Sequence, residues 1–473
     1  MSKRYFCIHG HFYQPPREDA ITGIIPKETG VAPYQNWNER IHAECYKPNA
    51  ELGNFEKISF NIGPTLFNWM ESYDPQTYKS IIQQEKLNVA KNGVGNAMAQ
   101  AYNHVILPLA SYRDKRTQII WGIEDFVHRY GHKPDGMWLP ETAVDKETLG
   151  ILVDCGIKFT ILAPWQAKDK SIDTTRPYRV NISKGKSIIV FFYQMDISTR
   201  LSFDPGATSN ADRFLVEFLL PAFINNSKQE LLIAASDGEL YGHHQQFRDK
   251  FLNRLLDGPG SNGVINYTYP GKYLREHPPR QSCQIGSRTS WSCHHGVSRW
   301  SEDCGCTPGS TWKAPLRIGL NSIAEYLDRV YVDQISSIAQ DPWLLRDEYI
   351  HVILGKISLE KWLARFTDRK IDSEGIKWIR WVMESQVARQ KMFTSCGWFF
   401  DELNRIEPKN NIGYAAQATV LLEKASKEIF SETMASILKS VQSTRFDING
   451  ADIFMDYYVR GRKNLDKSFL YFP

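Results

Sequence analysis

Seven short apolar segments mark the first half of the chain, at residues 4–9, 57–62, 93–97, 134–140, 157–162, 187–194 and 230–236. Most are rich in Val, Ile, Leu and Phe and stop at Gly, Pro, His or an acidic residue, which predicts buried strands. The segments between them carry apolar residues at three- or four-residue spacing and predict helices. Strands that alternate with helices indicate parallel βα units. We therefore predict an α/β fold, an incomplete (β/α)7 barrel, with a doubly wound sheet as the alternative.

The second half of the chain has a different pattern. A stretch rich in Gly, Ser, Pro and Cys, at about 258–312, is predicted to be a long ordered loop. Helical patterns follow it, at 314–338, 347–353, 358–366, 373–393, 413–426 and 429–444. We divide the chain into a barrel at 1–275, a Cys-rich loop at 276–312 and a C-terminal helical domain at 313–473.

Composition and charge argue against a few classes of partner and location. The net charge of +4 on 473 residues is nearly balanced, so it supports neither a nucleic-acid partner nor a membrane partner. We find no apolar run of about 18 residues and no signal-peptide pattern at the N-terminus. Eight cysteines are too sparse for a disulfide scaffold, which agrees with a reducing compartment. We therefore expect a cytoplasmic protein.

Two of the predicted strands end at carboxylates. In MWLPETAVD (137–145), Pro140 cannot donate a sheet hydrogen bond and favours a strand end, so Glu141 follows that end. In LLIAASDGELYGHH (231–244), an apolar run stops at Asp237. Parallel barrel strands present their C-terminal ends at one rim, so we predict that these two carboxyls face each other across a pocket. The alternative is that they are helix caps or surface ion pairs.

Other polar and aromatic side chains near these strand ends are candidate substrate-binding residues. They are His9, His11, Gln14, Trp37, His104, Trp138, Glu239, His243 and Trp291. His9 and His11 share one side of the first strand by the two-residue period. Structural alternatives stay open: paired histidines near a strand end, a solvated helix face around Trp37, and a His104 buried in the core.

Four cysteines fall within the loop SCQIGSRTSWSCHHGVSRWSEDCGC, and they are Cys283, Cys293, Cys304 and Cys306. A zinc site formed by three of them with the fourth cysteine or a histidine is one interpretation. The spacings differ from the usual C-x(2–4)-C pairs of zinc sites. The spacing therefore favours buried free thiols over a metal site, and a metal site over disulfides.

The motifs HGHFYQP, the histidine stretch before PL at 104–109, WLPE and SDGELYGHH occur in this order. In this they resemble glycoside hydrolase family 57, which contains α-amylases, 4-α-glucanotransferases and branching enzymes. The resemblance covers roughly residues 1–260. It implies a retaining mechanism on a (β/α)7 barrel with an attached helical domain. The second region, GNAMAQAYNH, lacks a glutamate present in many amylase and transferase members, so the resemblance does not specify the sugar.

By this resemblance, Glu141 matches the family nucleophile and Asp237 the general acid/base. His11 and Gln14 match the first family region, while His104 and His243 match positions in the second and fourth. The implied function is retaining hydrolysis or transglycosylation of an oligo- or polysaccharide, an α-glucan, with no cofactor. The alternatives are a metal-dependent deacetylase that uses His9, His11 and Asp237 as ligands, and a non-catalytic glycan-binding protein.

Overall fold

The computed structural model describes residues 3–223, 229–258 and 263–464. Its ten strands are β1 Lys3–Phe12, β2 Ser59–Ile62, β3 Ala99–Gln100, β4 Met137–Trp138, β5 Phe159–Leu162, β6 Tyr178–Ser183, β7 Lys186–Phe192, β8 Gln229–Asp237, β9 Asn266–Tyr267 and β10 Gln281–Ser282.

The α-helices before residue 280 are mostly short. They are α1 Trp37–Ile41, α2 Lys47–Glu51, α3 Asn54–Lys57, α4 Pro64–Tyr73, α5 Pro75–Asn92, α6 Tyr112–Tyr130, α7 Lys146–Asp154, α8 Met195–Phe203, α9 Ala211–Phe214, α10 Arg248–Asp257 and α11 Pro270–Glu276. The later helices are α12 Lys313–Ile335, α13 Pro342–Glu348, α14 Ile350–Ile353, α15 Leu359–Leu363, α16 Ser373–Lys391, α17 Ile406–Ser426, α18 Ser431–Leu438 and α19 Gly450–Asn464. No helix in the described ranges is both long and apolar enough to cross a membrane.

The chain forms two compact units. The barrel unit takes the described residues of 1–14, 27–101 and 126–292, and the helical unit takes 15–26, 102–125 and those from 293 onward. Two segments that precede residue 130 therefore belong to the helical unit. The proposed linear division at 275 and 312 stays a prediction.

Seven parallel strands follow one another around the barrel unit. β1 pairs with β2 and β8, β3 with β4, and β5 with β7. Isolated bridges connect β2 to the chain before β3, and the chain before β4 to β5. The Gln194 N–H, just beyond β7, donates to the Ile233 carbonyl in β8 at 2.7 Å. This succession confirms the predicted incomplete (β/α)7 barrel with a helical C-terminal region.

The sequence pattern located six of the seven barrel strands closely and misplaced one. The third was predicted at 93–97, but β3 lies at Ala99–Gln100. β6 was not predicted, although Tyr178–Ser183 alternates buried and exposed positions and forms an antiparallel hairpin with β7. The turn of that hairpin contains Gly185 at φ 78°, a conformation that glycine adopts without steric cost.

The core of the barrel unit is built from both faces of its strands. Cys7, Ile161, Phe191 and Ile233 are at most 1% exposed and belong to one apolar cluster. Because parallel strands covered on both sides bury every side chain, their sequences lack polar alternation. A polar residue at the end of such a strand is therefore conspicuous in the sequence.

The helical unit is organised around α17, which is buried on nearly all sides. The helices α12, α16 and α19 pack against it. A buried ion-pair network strengthens the unit: Arg346 and Arg389 both contact the Asp114 carboxylate, at 3.0 and 2.9 Å. Helix α19 was not predicted, and α17 begins seven residues before the predicted 413.

Candidate active site

The C-terminal ends of β1, β2 and β8 bring three polar side chains together. In the parallel register, His11 of β1 lies beside Asn61 of β2 on one side and Asp237 of β8 on the other. His9, two residues earlier on the same face, lies beside Ser59. The period-two argument for His9 and His11 therefore holds in the structure.

Both histidines are buried and hydrogen bonded. His9 Nδ1 lies 2.9 Å from Ser59 Oγ, and His9 Nε2 lies 3.1 Å from Asn61 Oδ1. The Asn61 amide also contacts His11 Nδ1 and donates to Gln100 Oε1 at 2.6 Å. Burial lowers the pKa of His9 to about 3 and that of His11 to about 4. Both rings are therefore neutral near pH 7 and can donate or accept without adding charge.

Trp138 forms the apolar backing of this histidine pair. It is fully buried, and its ring stacks on His9 at 4.5 Å and on His11 at 5.3 Å between centroids. Trp291 meets Trp138 edge to face at 5.1 Å. Trp138, expected to contact substrate, has no exposed face for a sugar in this structure. Its position instead orients the two histidines.

Glu141 lies in a tight turn directly after β4, as the position of Pro140 predicted. Glu141 and Thr142 have φ values of 58° and 49°, in the left-handed region that costs a non-glycine residue free energy. A neighbouring segment of the same chain holds this conformation, because the Trp291 N–H donates to the Glu141 carbonyl at 3.0 Å. Strain of this kind concentrates at functional sites.

Two side-chain donors fix the Glu141 carboxylate. Trp291 Nε1–H and the Ser292 hydroxyl both donate to Glu141 Oε2, at 2.9 and 2.6 Å. Hydrogen bonds to a charged acceptor are about twice as strong as neutral ones, so this pair stabilises the carboxylate charge. Trp291, a candidate substrate-binding residue by sequence, therefore contacts the candidate carboxylate. Ser292 was missed, because a serine among many loop serines carries no sequence signal.

Asp237 ends β8 with a side chain that solvent reaches. The surrounding protein nevertheless removes much of its hydration, and this is the largest cause that raises its pKa to about 8. Repulsion from the Glu239 and Glu141 carboxylates adds to the rise. Asp237 is therefore protonated at neutral pH, and Glu141 is near enough to influence its titration.

Glu239 is buried in the turn that follows β8. Its Oε1 accepts hydrogen bonds from the Tyr13 N–H at 3.0 Å and the Tyr46 hydroxyl at 2.7 Å. Burial raises the pKa of Glu239 to about 7, while hydrogen bonds from Tyr46, Tyr13 and Gln14 oppose the rise. Gln14 thus contacts the acidic cluster through Glu239. Tyr46 was missed by the sequence reasoning.

His243 and Trp37 form a separate contact pair in the barrel unit. The rings meet edge to face at 5.9 Å, and His243 Nδ1 lies 2.5 Å from Glu44 Oε2. The chain at Gly242 passes so close to the Glu44 carbonyl that an added Cβ would lie 2.1 Å from that oxygen. Both Trp37 and His243 are partly exposed, so their rings are accessible.

His104 belongs to the helical unit rather than to the unit that carries Glu141 and Asp237. It is buried at a φ of 53°, and its Nδ1 lies 2.6 Å from Ser395 Oγ. The Ser395 N–H donates to the His104 carbonyl at 3.1 Å. These contacts tie His104 to its own unit. Its predicted role in substrate binding stays a prediction.

The geometry does not support metal binding by His9, His11 and Asp237. Among the described residues, one group of three or more His, Cys, Asp or Glu side chains is close enough to share an ion, and it consists of Cys293, His295, Cys304 and Cys306. Both ring nitrogens of His9 instead contact Ser59 and Asn61, and His11 Nδ1 contacts Asn61. The deacetylase alternative therefore loses its ligand set.

The chain is similar to known proteins in sequence and in fold. Residues 9–286 match Glycosyl hydrolase family 57, and residues 310–467 match a domain of unknown function, DUF3536. An alpha-amylase from Pyrococcus horikoshii is 21% identical over 253 residues, which are 51% of this chain and 38% of that protein. A 4-alpha-glucanotransferase from Thermococcus litoralis is 21% identical over 254 residues, 51% of this chain and 36% of that protein. The chain thus spans less than half the length of these relatives.

Solved structures share the fold over most of the chain. An exo-type maltose-forming amylase from Pyrococcus sp. ST04 superposes with a TM-score of 0.75 at 16% identity, covering 92% of this chain and 82% of that one. A branching enzyme from Pyrococcus horikoshii gives 0.63 at 15% identity, covering 96% and 97%. Because the family match covers more than half of the residues and includes both strand-end carboxyls, this chain belongs to glycosyl hydrolase family 57.

Proposed function

We propose that the chain is a retaining glycoside hydrolase or transglycosylase that acts on α-glucans. The observation that carries the proposal is the contrast between two neighbouring carboxyls. Glu141 accepts two hydrogen bonds that stabilise its charge, whereas the pKa of Asp237 is raised to about 8. A retaining glycosidase needs one ionised nucleophile and one protonated acid side by side.

In the first step, the Glu141 carboxylate attacks the anomeric carbon while Asp237 protonates the departing glycosidic oxygen. This forms a covalent glycosyl-enzyme and releases the leaving sugar. Asp237, now ionised, then removes a proton from the incoming hydroxyl as that hydroxyl displaces Glu141. The incoming hydroxyl belongs to water in hydrolysis and to an acceptor sugar in transglycosylation.

The other site residues support this chemistry without adding charge. Neutral His9 and His11 hold the Asn61 side chain between them, and Trp138 keeps the two rings in place. Trp291 flanks the nucleophile, so an indole surface lies where the reacting sugar would bind. The partly exposed ring of Trp37 is a second candidate for sugar stacking. No step requires a cofactor.

The names of the relatives support the substrate class that we propose. The curated proteins that align with residues of the barrel are named alpha-amylase and 4-alpha-glucanotransferase, and the superposed structures are an amylase and a branching enzyme. All of these names refer to α-linked glucans. An α-glucan is therefore the first substrate to test, and the same site serves hydrolysis or transfer.

The first test is incubation of the full chain with amylose and maltooligosaccharides. Product chain lengths and anomeric proton NMR distinguish net hydrolysis, redistributed chain lengths and new α-1,6 linkages. Glu141→Gln should lower turnover on the order of a thousandfold or more, because the nucleophile is lost while its shape remains. Glu147→Gln, which alters an exposed glutamate of α7, is the matched control. Equal turnover by wild type and Glu141→Gln would refute the proposal.

Azide assigns the two roles separately. In Glu141→Ala, azide can take the place of the nucleophile, and one displacement gives a glycosyl azide of inverted configuration. In Asp237→Ala, azide can attack the glycosyl-enzyme, and two displacements give the retained configuration. If Glu141→Ala gave the retained azide and Asp237→Ala the inverted one, Asp237 would be the nucleophile and Glu141 the acid/base.

A further inference from the structure

Three cysteines and one histidine of the helical unit converge on a single point. Cys293, His295, Cys304 and Cys306, here called the thiol cluster, have ligand atoms that all lie within 4.8 Å of one another. The Cys293 sulfur lies 3.9 Å from the sulfurs of both Cys304 and Cys306. His295 Nδ1 lies 3.5 Å from the Cys306 sulfur.

These separations are close to the edges of a zinc coordination tetrahedron. Zinc binds thiolate sulfur at about 2.3 Å and imidazole nitrogen at about 2.0–2.1 Å. In a tetrahedron these lengths place two sulfurs about 3.8 Å apart, and a sulfur and a nitrogen about 3.5 Å apart. The observed edges are 3.9 Å between sulfurs and 3.5 Å between sulfur and nitrogen. These three separations match a tetrahedron, and the remaining ones are within 4.8 Å, so a single ion can reach all four side chains after small shifts.

The same distances argue against other uses of the cysteines. A disulfide requires about 2.05 Å between sulfurs, roughly half the observed separation. All eight cysteines of the chain are free thiols in the structure. A binuclear iron–sulfur cluster would divide its ligands between two metals and separate them beyond a single tetrahedron. Three sulfurs and one nitrogen that all lie within 4.8 Å of one another are the ligand set of a mononuclear zinc site.

The surroundings of the thiol cluster supply the groups such a site needs. Three thiolates and a divalent ion carry a net charge of minus one. Lys313 interacts electrostatically with Cys304 and Cys306, and Arg299 hydrogen bonds to Cys306. The Cys306 N–H donates to the Cys304 sulfur. Outer contacts of this kind orient and stabilise metal ligands.

The cluster also closes a segment with little regular secondary structure. Between Cys293 and the start of α12 at Lys313, the regular structure is one short 3-10 turn, Ser298–Trp300. Two of the ligands, Cys304 and Cys306, lie in this stretch ten or more residues after Cys293. Joining such distant points restricts the unfolded chain and anchors the loop when it folds.

We propose that Cys293, His295, Cys304 and Cys306 bind one Zn²⁺ ion that fixes the loop leading into α12. With four protein ligands and no open position, the site is structural rather than catalytic. Cys283, the fourth cysteine of the sequence motif, belongs to the barrel unit, and His295 takes its place as the fourth ligand. The irregular sequence spacing had disfavoured a metal site.

The test is the metal content of the purified full chain, measured by elemental analysis after passage over a chelator of moderate affinity. Wild type should retain about one equivalent of zinc. His295→Ala and Cys306→Ser should each retain at least about tenfold less, because each removes one ligand. The matched controls are His294→Ala, which alters the exposed neighbour of His295, and Cys283→Ser. Both should retain zinc like wild type.

Cobalt substitution tests the ligand set independently. Chain prepared without zinc and titrated with Co²⁺ should develop the intense visible bands of tetrahedral cobalt bound to thiolates, and excess Zn²⁺ should abolish them. The stability of the two ligand variants is compared with wild type by thermal unfolding with and without added zinc. Added zinc should raise the unfolding temperature of zinc-free wild type and leave that of Cys306→Ser unchanged.

Several results would overturn the proposal. Wild type that binds neither zinc nor cobalt would do so, as would zinc that persists equally in the ligand variants. One equivalent of iron without zinc would overturn the zinc assignment. A count of accessible thiols in the denatured, unreduced chain that falls two short of eight, with the pair traced to the thiol cluster, would replace the metal by a disulfide.

Discussion

Replacing Glu239 with glutamine should move the alkaline limit of activity to lower pH. Glu239 is buried, and one oxygen accepts both the Tyr13 N–H and the Tyr46 hydroxyl. Glutamine keeps an oxygen that can accept both bonds, so Glu239→Gln removes the negative charge with little change in shape. That charge is the second-largest cause that raises the pKa of Asp237.

The size of the effect is bounded by the structure. The pKa of Asp237 is raised from 3.8 to about 8. Three causes raise it, and lost hydration is the largest of them. Glu239 therefore accounts for at most half of the rise, and its removal lowers the pKa of Asp237 by at most about two. A general acid acts in its protonated form, so activity is present below the pKa of Asp237 and is lost above it. The alkaline limit should fall from near pH 8 to between about 6 and 8.

The assay is the pH dependence of kcat/KM on a maltooligosaccharide, which reports the free enzyme. Glu51→Gln is the matched control, because Glu51 is exposed and is not among the charges that raise the pKa of Asp237. An alkaline limit that stays in place or rises in Glu239→Gln would refute the electrostatic reasoning. An equal fall in Glu51→Gln would show that net charge, rather than the neighbour of Asp237, sets the limit.

Three further changes have effects that can be estimated. Ser292→Ala removes a 2.6 Å hydrogen bond to the Glu141 carboxylate and should lower kcat about 10- to 100-fold in steady-state assays, since such bonds contribute about 1.5–3 kcal/mol. Gly242→Ala forces a Cβ to 2.1 Å from the Glu44 carbonyl at a φ of 138° and should cost at least about 3 kcal/mol in urea unfolding. Asp114→Ala leaves two buried guanidinium groups without their shared carboxylate and should cost about 3–5 kcal/mol. Because those groups hold the pKa of Asp114 below its ordinary value, its contribution in wild type should be present above about pH 4 and disappear as the pH falls through its lowered pKa.

Each change has a control within the same unit. Ser287→Ala alters an exposed serine of the same loop, and kcat should be unchanged. Gly53→Ala tests a positive φ with nothing within 4 Å of the added Cβ, and it should cost only about 1 kcal/mol. Asp368→Ala removes an exposed aspartate. Losses in these controls as large as those in the tested variants would contradict the contacts assigned to Ser292, Gly242 and Asp114.

The sequence located the candidate carboxyls because of where they stand along the chain. A strand covered on both faces has almost no polar residues, so the first acid after it is conspicuous. Glu141 after Pro140 and Asp237 after an apolar run are both of this kind. The same reasoning applied to β2 indicates Asn61, which is the last polar residue of that strand and links His9 to His11, but its small polar amide did not stand out.

Residues that act through loops could not be found in the same way. Ser292 and Tyr46 contact Glu141 and Glu239 across more than 140 positions of sequence, and no local pattern records such a contact. The function of Trp138 was also beyond the pattern, since an aromatic residue at a strand end suits sugar stacking and core packing equally. Trp138 is buried against both histidines, so its role in this structure is packing rather than sugar stacking.

The sequence by itself determined the fold class, the helical second half and the two carboxyls, because period, burial and strand ends are local properties of the chain. Tertiary structure decided which residues share a unit: segments 15–26 and 102–125 join the later helices, and His104 goes with them. It also brought the members of the thiol cluster to one point. Ligand spacing along the chain is a weak guide when a long loop returns its ends to one point, whereas the distances between sulfur and nitrogen atoms are set by the folded chain alone.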